Sequence, residues 1–144
     1  MKVKTKIINK DLPTPPLKYA KQGDAGIDLT ATSKSYDEFG NVVYGTNRAF
    51  EIPEGYVGLL FPRSSNANKD LILSNSVGVL DSGYRGEVMF KFKSSYGHYT
   101  ENTYNIGDRI GQLIILPYPT IEFEESDELT TTERNTQGYG STGN

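Results

Sequence analysis

Glu87-Val88-Met89-Phe90-Lys91-Phe92-Lys93 alternates between two kinds of side chain along its length. Val88, Phe90 and Phe92 are separated from one another by Met89 and Lys91, so apolar groups recur with a period of two. This period is typical of a β-strand that buries one face and exposes the other. No window of the chain shows a sustained helical period of 3.6 residues. The stretch therefore predicts a mostly β protein.

Other short segments carry the same composition and end at glycine or proline turn signals. Strands are predicted at residues 3–8, 26–31, 48–52, 55–61, 71–74, 77–80, 86–93 and 109–116. A short helix is predicted at 64–70, and the polar segment 33–47 is predicted to be an exposed hairpin or loop. Leu113–Leu116 has no polar face, which predicts burial on both sides, within the domain or against another subunit. A sandwich, a barrel and a jelly roll all fit this pattern.

Composition narrows the functional classes. The chain has 144 residues, enough for one domain with a real core, and a net charge of -3. No cluster of Lys and Arg is interleaved with aromatics, so a nucleic-acid polymer is not an expected partner. The absence of cysteine excludes disulfides, Cys-ligated zinc and thiol nucleophiles. With no apolar run near 18 residues, no membrane partner is expected, and a cytoplasmic protein is the expectation.

Two polar positions interrupt predicted strands or follow them. Asp28 lies inside the apolar stretch Ala25–Leu29, where a carboxylate usually accepts backbone N–H groups and less often holds a metal through water. Arg63-Ser64-Ser65 follows a strand and opens the predicted helix. Ser64 is then either a helix N-cap or, with Arg63, part of an anion site. The local sequence does not choose between these two readings.

Three further stretches have both a structural and a chemical interpretation. Asn75–Gly86 resembles a hairpin with Asp81 at its tip, which is alternatively an Asx-turn. Gly107–Gln112 indicates a turn entering a strand, with a structurally paired Arg109 and with Gln112 filling a polar gap. The tail 134–143 combines an arginine, three glycines and two hydroxyls, which suits either a lid over phosphate or a disordered terminus.

Taken together, these five stretches resemble, in order and spacing, the five motifs of the homotrimeric deoxyuridine triphosphatases (dUTPases). The resemblance extends from about residue 22 to the end of the chain. It implies an all-β, distorted jelly-roll β-barrel with one short helix and a flexible C-terminal arm. Residues 1–144 would form a single domain, with a core at about 1–124 and the arm at about 125–144. It also implies a homotrimer whose three active sites each use residues from all three subunits.

The same resemblance implies an activity and its site residues. The family hydrolyses dUTP to dUMP and pyrophosphate with Mg²⁺, which keeps uracil out of DNA and supplies dUMP for thymidylate synthesis. Asp81 matches the base that activates water, and Asp28 matches a carboxylate that holds Mg²⁺ through its water shell. Tyr84 matches the aromatic residue that excludes ribose. The full set of substrate-binding positions is Arg63, Ser64, Ser65, Asn75, Gly78, Val79, Leu80, Tyr84, Met89, Gln112, Arg134, Tyr139, Ser141 and Thr142.

Two alternatives accompany this interpretation. A deoxycytidine triphosphate deaminase of the same superfold is disfavoured by the short chain and by the presence of both Asp81 and Tyr84. A dUTPase-like regulatory protein would bind a protein partner through a loop such as 33–47 under nucleotide control. The tail departs from the family at Asn135 and Gln137, where glycine is common, and at Tyr139, where phenylalanine is commoner. Asn tolerates a left-handed backbone better than Gln does.

Overall fold

The computed structural model describes residues 1–138, and nearly all of its regular structure is β. Each of the eight predicted strand segments contains a strand, and two more strands lie in segment 33–47. None of the helices in this part of the chain is long and apolar enough to cross a membrane. The elements are β1 Lys4–Ile7, β2 Ile27–Thr30, β3 Ser33–Tyr36, β4 Val42–Gly45, β5 Arg48–Glu51, β6 Tyr56–Phe61, a 3₁₀ helix Ser64–Asn68, β7 Leu71–Leu73, β8 Gly78–Leu80, β9 Met89–Ser94 and β10 Arg109–Pro117.

The strands form two four-stranded sheets and one separate pair. The first sheet has the order β2-β10-β6-β8, the second has the order β3-β4-β9-β7, and β1 pairs with β5. Every one of these pairings is antiparallel. Apolar side chains from both sheets meet in one core, as in a distorted jelly roll. The all-β prediction is confirmed.

Strand β9 has the alternation that its sequence predicts. Phe90 and Phe92 are 1% and 0% exposed, whereas Met89, Lys91 and Lys93 point to solvent. The two buried rings stack with an interplanar angle of 12°. Phe92 also packs edge-on against Tyr44 of β4, so β9 and β4 share the aromatic centre of the core.

Segment 33–47 is a hairpin, as predicted, but it is not exposed along its whole length. Strand β4 pairs with β9, which places Val42 opposite Phe92 and Tyr44 opposite Phe90. Tyr44 is completely buried, and its hydroxyl donates to the carbonyl of Tyr104 at 2.9 Å and accepts from the N–H of Tyr104 at 3.0 Å. These two bonds satisfy the hydroxyl, so a tyrosine in a polar-looking segment can lie in the core.

Strand β10 is not buried on both sides within the chain. Leu113 is 1% exposed, Ile114 and Ile115 are partly buried, and Leu116 is 45% exposed. The strand is central in its sheet, but of its nine residues only Ile110, Gly111 and Leu113 are buried. Of the two alternatives, burial of both sides of the strand within the domain is therefore wrong. Contact of the outer face with another subunit stays a prediction.

Residues 75–86 do not form a hairpin of two paired strands. Strand β8 pairs with β6 in the first sheet, while β9 pairs with β4 and β7 in the second. The chain crosses between the sheets through a backbone turn in which the N–H of Tyr84 donates to the carbonyl of Asp81 at 3.0 Å. A local pattern of turn residues predicts the turn but does not reveal which strand each arm pairs with.

The predicted helix is shorter than expected and of the tighter 3₁₀ type. Its N-cap residue is Arg63, in extended backbone conformation, and no side chain caps it. The N-cap interpretation of Ser64 is therefore wrong, because Ser64 is the first residue inside the helix.

Gly111 is expected to be essential for packing, because an added methyl group would overlap the buried ring of Phe90. Gly111→Ala should lower the free energy of unfolding by about 1–3 kcal/mol through overpacking. Gly83→Ala is the matched control, since a Cβ at Gly83 meets nothing within 4 Å. Urea titration at one protein concentration measures both variants, and equal stability of the two would contradict the packing interpretation.

Candidate active site

One cleft gathers predicted site residues from three neighbouring strands. Asp28 of β2 lies opposite Gln112 of β10, which in turn lies opposite Phe61 at the end of β6. Arg63 and Ser64 follow directly after β6 and line the same cleft, whose volume is about 350 Å³. We call it the arginine cleft. The pairing register of β10 therefore brings together side chains that are far apart in the sequence.

Asp28 is held by two arginines rather than by backbone amides. Its Oδ1 accepts from Nε of Arg63 at 2.8 Å, and its Oδ2 accepts from Nη1 of Arg109 at 3.0 Å. Arg109 is thus structurally paired, as predicted. A partly buried carboxylate between two guanidinium groups fixes their positions and offsets part of their mutual repulsion.

Gln112 fills a polar gap, as its local sequence indicates. Its Nε2 donates to the carbonyl of Pro62 at 3.1 Å, next to the arginine that lines the cleft. A side chain at Gly26 would overlap Oε1 of Gln112, so the glycine makes room for the amide. The Nε2 end of the amide is therefore held by a hydrogen bond, and its Oε1 end lies against Gly26.

Ser64 and Ser65 expose their hydroxyls beside Arg63. Nη1 of Arg63 donates to Oγ of Ser65 at 3.1 Å. Ser65 lines a second recess of about 310 Å³ together with Lys69 and Tyr104. Arg63 and Arg109 line both this recess and the arginine cleft. Cations and hydroxyls therefore surround this end of β6 on two sides, an arrangement suited to an anion.

A second pocket, the β8 pocket, collects the other large group of predicted residues. Its volume is about 420 Å³. Strand β8 is the edge of its sheet and pairs only with β6, so half of its backbone N–H and C=O groups point away from the sheet. The predicted residues that line it are Asn75, Gly78, Val79, Leu80, Asp81, Tyr84 and Met89.

The turn after β8 presents Asp81 and Tyr84 at the mouth of this pocket. Asp81 is exposed, and its carboxylate makes no hydrogen bond within residues 1–138. The interpretation as an Asx-turn is therefore wrong. Tyr84 is 44% exposed, and its hydroxyl donates to the carbonyl of Glu87 at 3.1 Å. A side chain at Gly86 would overlap the Tyr84 ring, so the glycine lets the ring approach the backbone closely.

The hairpin turn between β3 and β4 supports the wall of the β8 pocket. Nδ2 of Asn41 donates to both carboxylate oxygens of Asp37, at 3.0 and 2.8 Å, and Oδ1 of Asn41 accepts from the hydroxyl of Ser74 at 2.6 Å. Nζ of Lys91 donates to Asp37 at 3.1 Å. Ser74 and Lys91 both line the pocket. The pKa of Asp37 is lowered to about 2, mainly by the hydrogen bonds from the side chain of Asn41.

Sequence reasoning missed several lining residues. Leu60, Ser74, Glu87, Val88 and Lys91 line the β8 pocket, and Ala20, Asp24, Ala25, Gly26, Arg109 and Ile114 line the arginine cleft. Lys91 could have been found, because it lies two residues after Met89 on the same face of a predicted strand. The others depend on pairings that the sequence pattern does not reveal.

The two pockets lie apart on the same sheet. Gln112 of β10 is paired with Phe61 of β6. Leu80, next to Asp81, is paired with Gly58 of β6 and therefore lies two strands away from β10. Gln112 and Leu80 are offset by three residues along the strands and by two strand spacings across the sheet. Together these offsets give a separation of about 14 Å. The pockets share no lining residue. A single chain therefore does not bring all the predicted residues into one site.

The C-terminal segment leaves the two sheets after β10. The N–H of Tyr118 donates to the carbonyl of Gly55 at 2.9 Å, and residues 121–138 are all exposed. Arg134 lies in a small turn, where its Nε donates to the carbonyl of Gln137 at 3.0 Å, so it reaches neither pocket. Asn135 has a φ of 44°, in the left-handed region that asparagine tolerates. Tyr139, Ser141 and Thr142 lie outside the described residues.

Comparison with known proteins decides the family. The family model for dUTPase matches residues 13–143. This chain belongs to the dUTPase family. A deoxyuridine 5'-triphosphate nucleotidohydrolase of Corynebacterium glutamicum is 41% identical over 94% of this chain and 91% of its own length. Another, from Finegoldia magna, is 39% identical over 98% of this chain and 99% of its own length.

Solved dUTPase structures share the fold. The dUTPase of Staphylococcus bacteriophage 80alpha, in a mutant form with dUpNHpp, is 26% identical with a TM-score of 0.81, over 99% of this chain and 98% of its own. A mutant dUTPase of phage phi11 of S. aureus, which coordinates a structural Mg(II) ion, is 24% identical with a TM-score of 0.72. This match covers 89% of the present chain and 98% of the phage phi11 chain.

The predicted activity is confirmed at the level of the family. The chain is an enzyme that hydrolyses dUTP, a dUTP diphosphatase, because the family model and its relatives of similar length agree on this activity. The described residues contain no group of three or more His, Cys, Asp or Glu side chains that could hold a metal on their own. The roles of individual residues stay predictions.

The Asp37 turn should make stability depend on pH in acid. Because the folded protein lowers the pKa of Asp37 from 3.8 to about 2, its stabilisation is complete above about pH 4 and is lost as the pH falls towards 2. Asp37→Asn should therefore be less stable than the wild type at neutral pH, and the difference should shrink below about pH 4. Thermal unfolding between pH 2 and 7 measures it.

Glu38→Gln is the control for this experiment. Glu38 is an exposed carboxylate in the same turn. Its removal leaves the bonds of Asp37 in place, so Glu38→Gln should keep the loss of stability in acid that the wild type shows. A difference between wild type and Asp37→Asn that stays constant down to pH 2 would contradict the assignment to Asp37.

Proposed function

We propose that this enzyme hydrolyses dUTP by attack of an Asp81-activated water on the α-phosphorus, releasing dUMP and pyrophosphate, at sites shared between subunits of a homotrimer. The observation that carries the proposal is the division of the predicted residues into two separate pockets. One pocket has the size and backbone edge for a nucleoside. The other has the cations for a polyphosphate.

The β8 pocket is proposed to take the deoxyuridine part of the substrate. Its free backbone edge offers donors and acceptors in a fixed order, which can match uracil and reject the reversed pattern of cytosine. The ring of Tyr84, lying over Gly86, would pack under the sugar and leave no room for a 2′-hydroxyl. Asp81, exposed beside it, would accept a proton from the attacking water.

The arginine cleft is proposed to take the phosphates. Arg63 would bind them through its guanidinium, and Ser64 and Ser65 would donate their exposed hydroxyls. The amide of Gln112 would reach the α-phosphate from β10. Asp28 supports this arrangement because its ion pairs with Arg63 and Arg109 fix the guanidinium groups before substrate binds.

The cleft fits Mg²⁺ only through an indirect role of Asp28. Each oxygen of Asp28 already accepts one arginine bond, which leaves lone pairs for a water molecule but not room for a set of direct ligands. A magnesium ion that arrives with the triphosphate, keeps several waters and meets one carboxylate is consistent with these donors. When bound, Mg²⁺ would neutralise charge on the phosphates and orient them.

The distance between the pockets supports sites that are shared between subunits. Gln112 and Asp81 must both act at the α-phosphorus, but the residue next to Asp81 lies about 14 Å from Gln112 in one chain. One nucleotide can contact both only if the β8 pocket of one subunit faces the arginine cleft of another. The exposed outer face of β10, including Leu116, would then be available for subunit contact.

The C-terminal segment is proposed to complete the site from a third subunit. Arg134 would bind the γ-phosphate, Tyr139 would stack on uracil, and Ser141 and Thr142 would donate to the terminal phosphates. The exposure of residues 121–138 supports this role, because such a segment can extend to a neighbour. Its closure over the nucleotide would exclude water from the reaction.

A regulatory role in addition to hydrolysis has one observation in its favour. Related phage 80alpha dUTPases, 26% identical to this chain, control transfer of virulence genes by a proto-oncogenic G protein-like mechanism. In this chain the hairpin of β3 and β4 exposes two aromatic side chains, with Tyr36 and Phe39 at 55% and 71%. Exposed aromatic residues of this kind are enriched where proteins contact partners.

Asp81→Asn should remove most turnover while nucleotide binding is retained. The amide is nearly the same size as the carboxylate but cannot accept the proton from water, which should cost about 100-fold to 10,000-fold in kcat. Pyrophosphate release from dUTP with Mg²⁺ measures turnover, and calorimetry with dUpNHpp measures binding. Wild-type enzyme with dCTP, dTTP and UTP is the specificity control. Near-normal turnover in Asp81→Asn would exclude Asp81 as the base.

Mixed trimers test whether the sites are shared. Asp81→Asn and Arg63→Ala should each be nearly inactive alone. If the two residues of one site come from different subunits, random co-assembly leaves about a quarter of the sites with both residues intact, so about a quarter of wild-type activity should return. Refolding the variants together and separately provides the comparison. If both residues of a site belong to one chain, mixing will recover no activity.

A further inference from the structure

We propose that Tyr104, which the motif pattern does not include, is a positioning residue for the phosphate-binding turn Arg63–Asn66. The inference rests on the proposed role of Arg63, Ser64 and Ser65 in phosphate binding. Tyr104 lines the recess beside Ser65, but its hydroxyl is engaged by Asn66 and would act on the turn rather than on the substrate. Its hydroxyl would hold the turn from below, so that the exposed serine hydroxyls are in place before dUTP arrives.

Asn66 is the residue through which Tyr104 would act. The hydroxyl of Tyr104 donates to Oδ1 of Asn66 at 3.0 Å, and Nδ2 of Asn66 donates to the carbonyl of Leu71 at 2.8 Å. The backbone N–H of Asn66 donates to the carbonyl of Arg63 at 2.9 Å, which closes the turn. Asn66 therefore connects the core tyrosine directly to the backbone that carries the two serines.

Tyr104 is itself rigidly held. It is 3% exposed, and both its backbone N–H and its carbonyl are bonded to the buried hydroxyl of Tyr44. Its ring packs edge-on against Tyr44 with centroids 6.0 Å apart, and at a tilt of 52° against Phe92 with centroids 5.7 Å apart. Tyr104 thus transmits the fixed position of the core to a turn at the surface.

The far end of the same turn is held by the same segment. Nζ of Lys69 donates to the carbonyl of Thr103 at 2.9 Å and lies 5.4 Å from the centroid of the Tyr104 ring. Burial raises the pKa of the Tyr104 hydroxyl, although the charge of Arg63 acts in the opposite direction. The hydroxyl therefore keeps its proton at neutral pH and remains a donor.

The turn needs this support because it has little of its own. The 3₁₀ helix Ser64–Asn68 has five residues and no buried side chain. Short 3₁₀ segments have weak hydrogen-bond geometry. If Tyr104 did not hold Asn66, binding of phosphate would have to order the turn and would lose affinity accordingly.

Tyr104→Phe removes one hydroxyl and keeps the ring, and it leaves the two bonds of Tyr44 to the Tyr104 backbone intact. We expect KM for dUTP and Kd for inorganic pyrophosphate to rise about fivefold, the value of one ordinary hydrogen bond. The change in kcat should be smaller. Binding of deoxyuridine should be unchanged, because the β8 pocket does not contact this turn. Calorimetry and pyrophosphate release give these values.

Three further variants make the test specific. Asn66→Ala should raise the same constants, and the double variant with Tyr104→Phe should add little, because both changes remove one connection. Tyr56→Phe removes a tyrosine hydroxyl at the start of β6 and is expected to change neither constant. Ser64→Ala tests the phosphate site itself.

The outcomes separate the two proposals. If Ser64→Ala raises the Kd for pyrophosphate but Tyr104→Phe does not, the positioning role is wrong and the phosphate site stands. If neither variant changes that Kd, the phosphate role of the turn is wrong, and with it this inference. Equal weakening of deoxyuridine and pyrophosphate binding in Tyr104→Phe would indicate a general structural effect and would also overturn the inference.

Discussion

The double pairing of strand β10 is the constraint on which the rest of the structure depends. β10 lies between β2 and β6, and its register fixes Gln112 beside Asp28 on one side and beside Phe61 on the other. The shape of the arginine cleft follows from this register. A shift of one residue would turn Leu113 out of the core and Gln112 into it, so packing and cleft geometry are determined together.

The two pockets solve different electrostatic problems. The arginine cleft brings the guanidinium groups of Arg63 and Arg109 close together. Asp28 offsets their mutual repulsion by forming an ion pair with each. The β8 pocket instead uses an unpaired strand edge, where the groups that face a ligand are dipoles of the main chain. This division suits a substrate with a neutral base at one end and a highly charged triphosphate at the other.

Much of the fold was predictable because period-two alternation and turn residues are local signals. The strands around Phe90 and Leu60 follow from them directly. Strand β4 was missed as a buried strand because its burial depends on partners elsewhere, above all the backbone of Tyr104, which satisfies the hydroxyl of Tyr44. The supposed hairpin at 75–86 failed for the same reason, since pairing is not a local property.

The candidate site was predictable by the resemblance of motifs, but its assembly was not. Many of the motif residues line one of the two pockets. The motifs gave no sign, however, that Gln112 and Leu80 are far apart within a chain. They also omitted Tyr104, whose contribution is visible only through its contact with Asn66. The family motifs contain residues that contact a ligand. Residues that hold those contact residues in place belong to the core of each chain and are not part of the motifs.

The unpaired edge of β8 has a consequence for how this enzyme can change over evolutionary time. Under the proposed function the base is read by main-chain groups, which every amino acid except proline supplies in the same form. Val79, at 65% exposure, can therefore vary in its side chain without altering the pattern presented to uracil. Substitutions of side chains in β8 should therefore leave the base selectivity unchanged. A preference for another base would require a shift of the strand backbone.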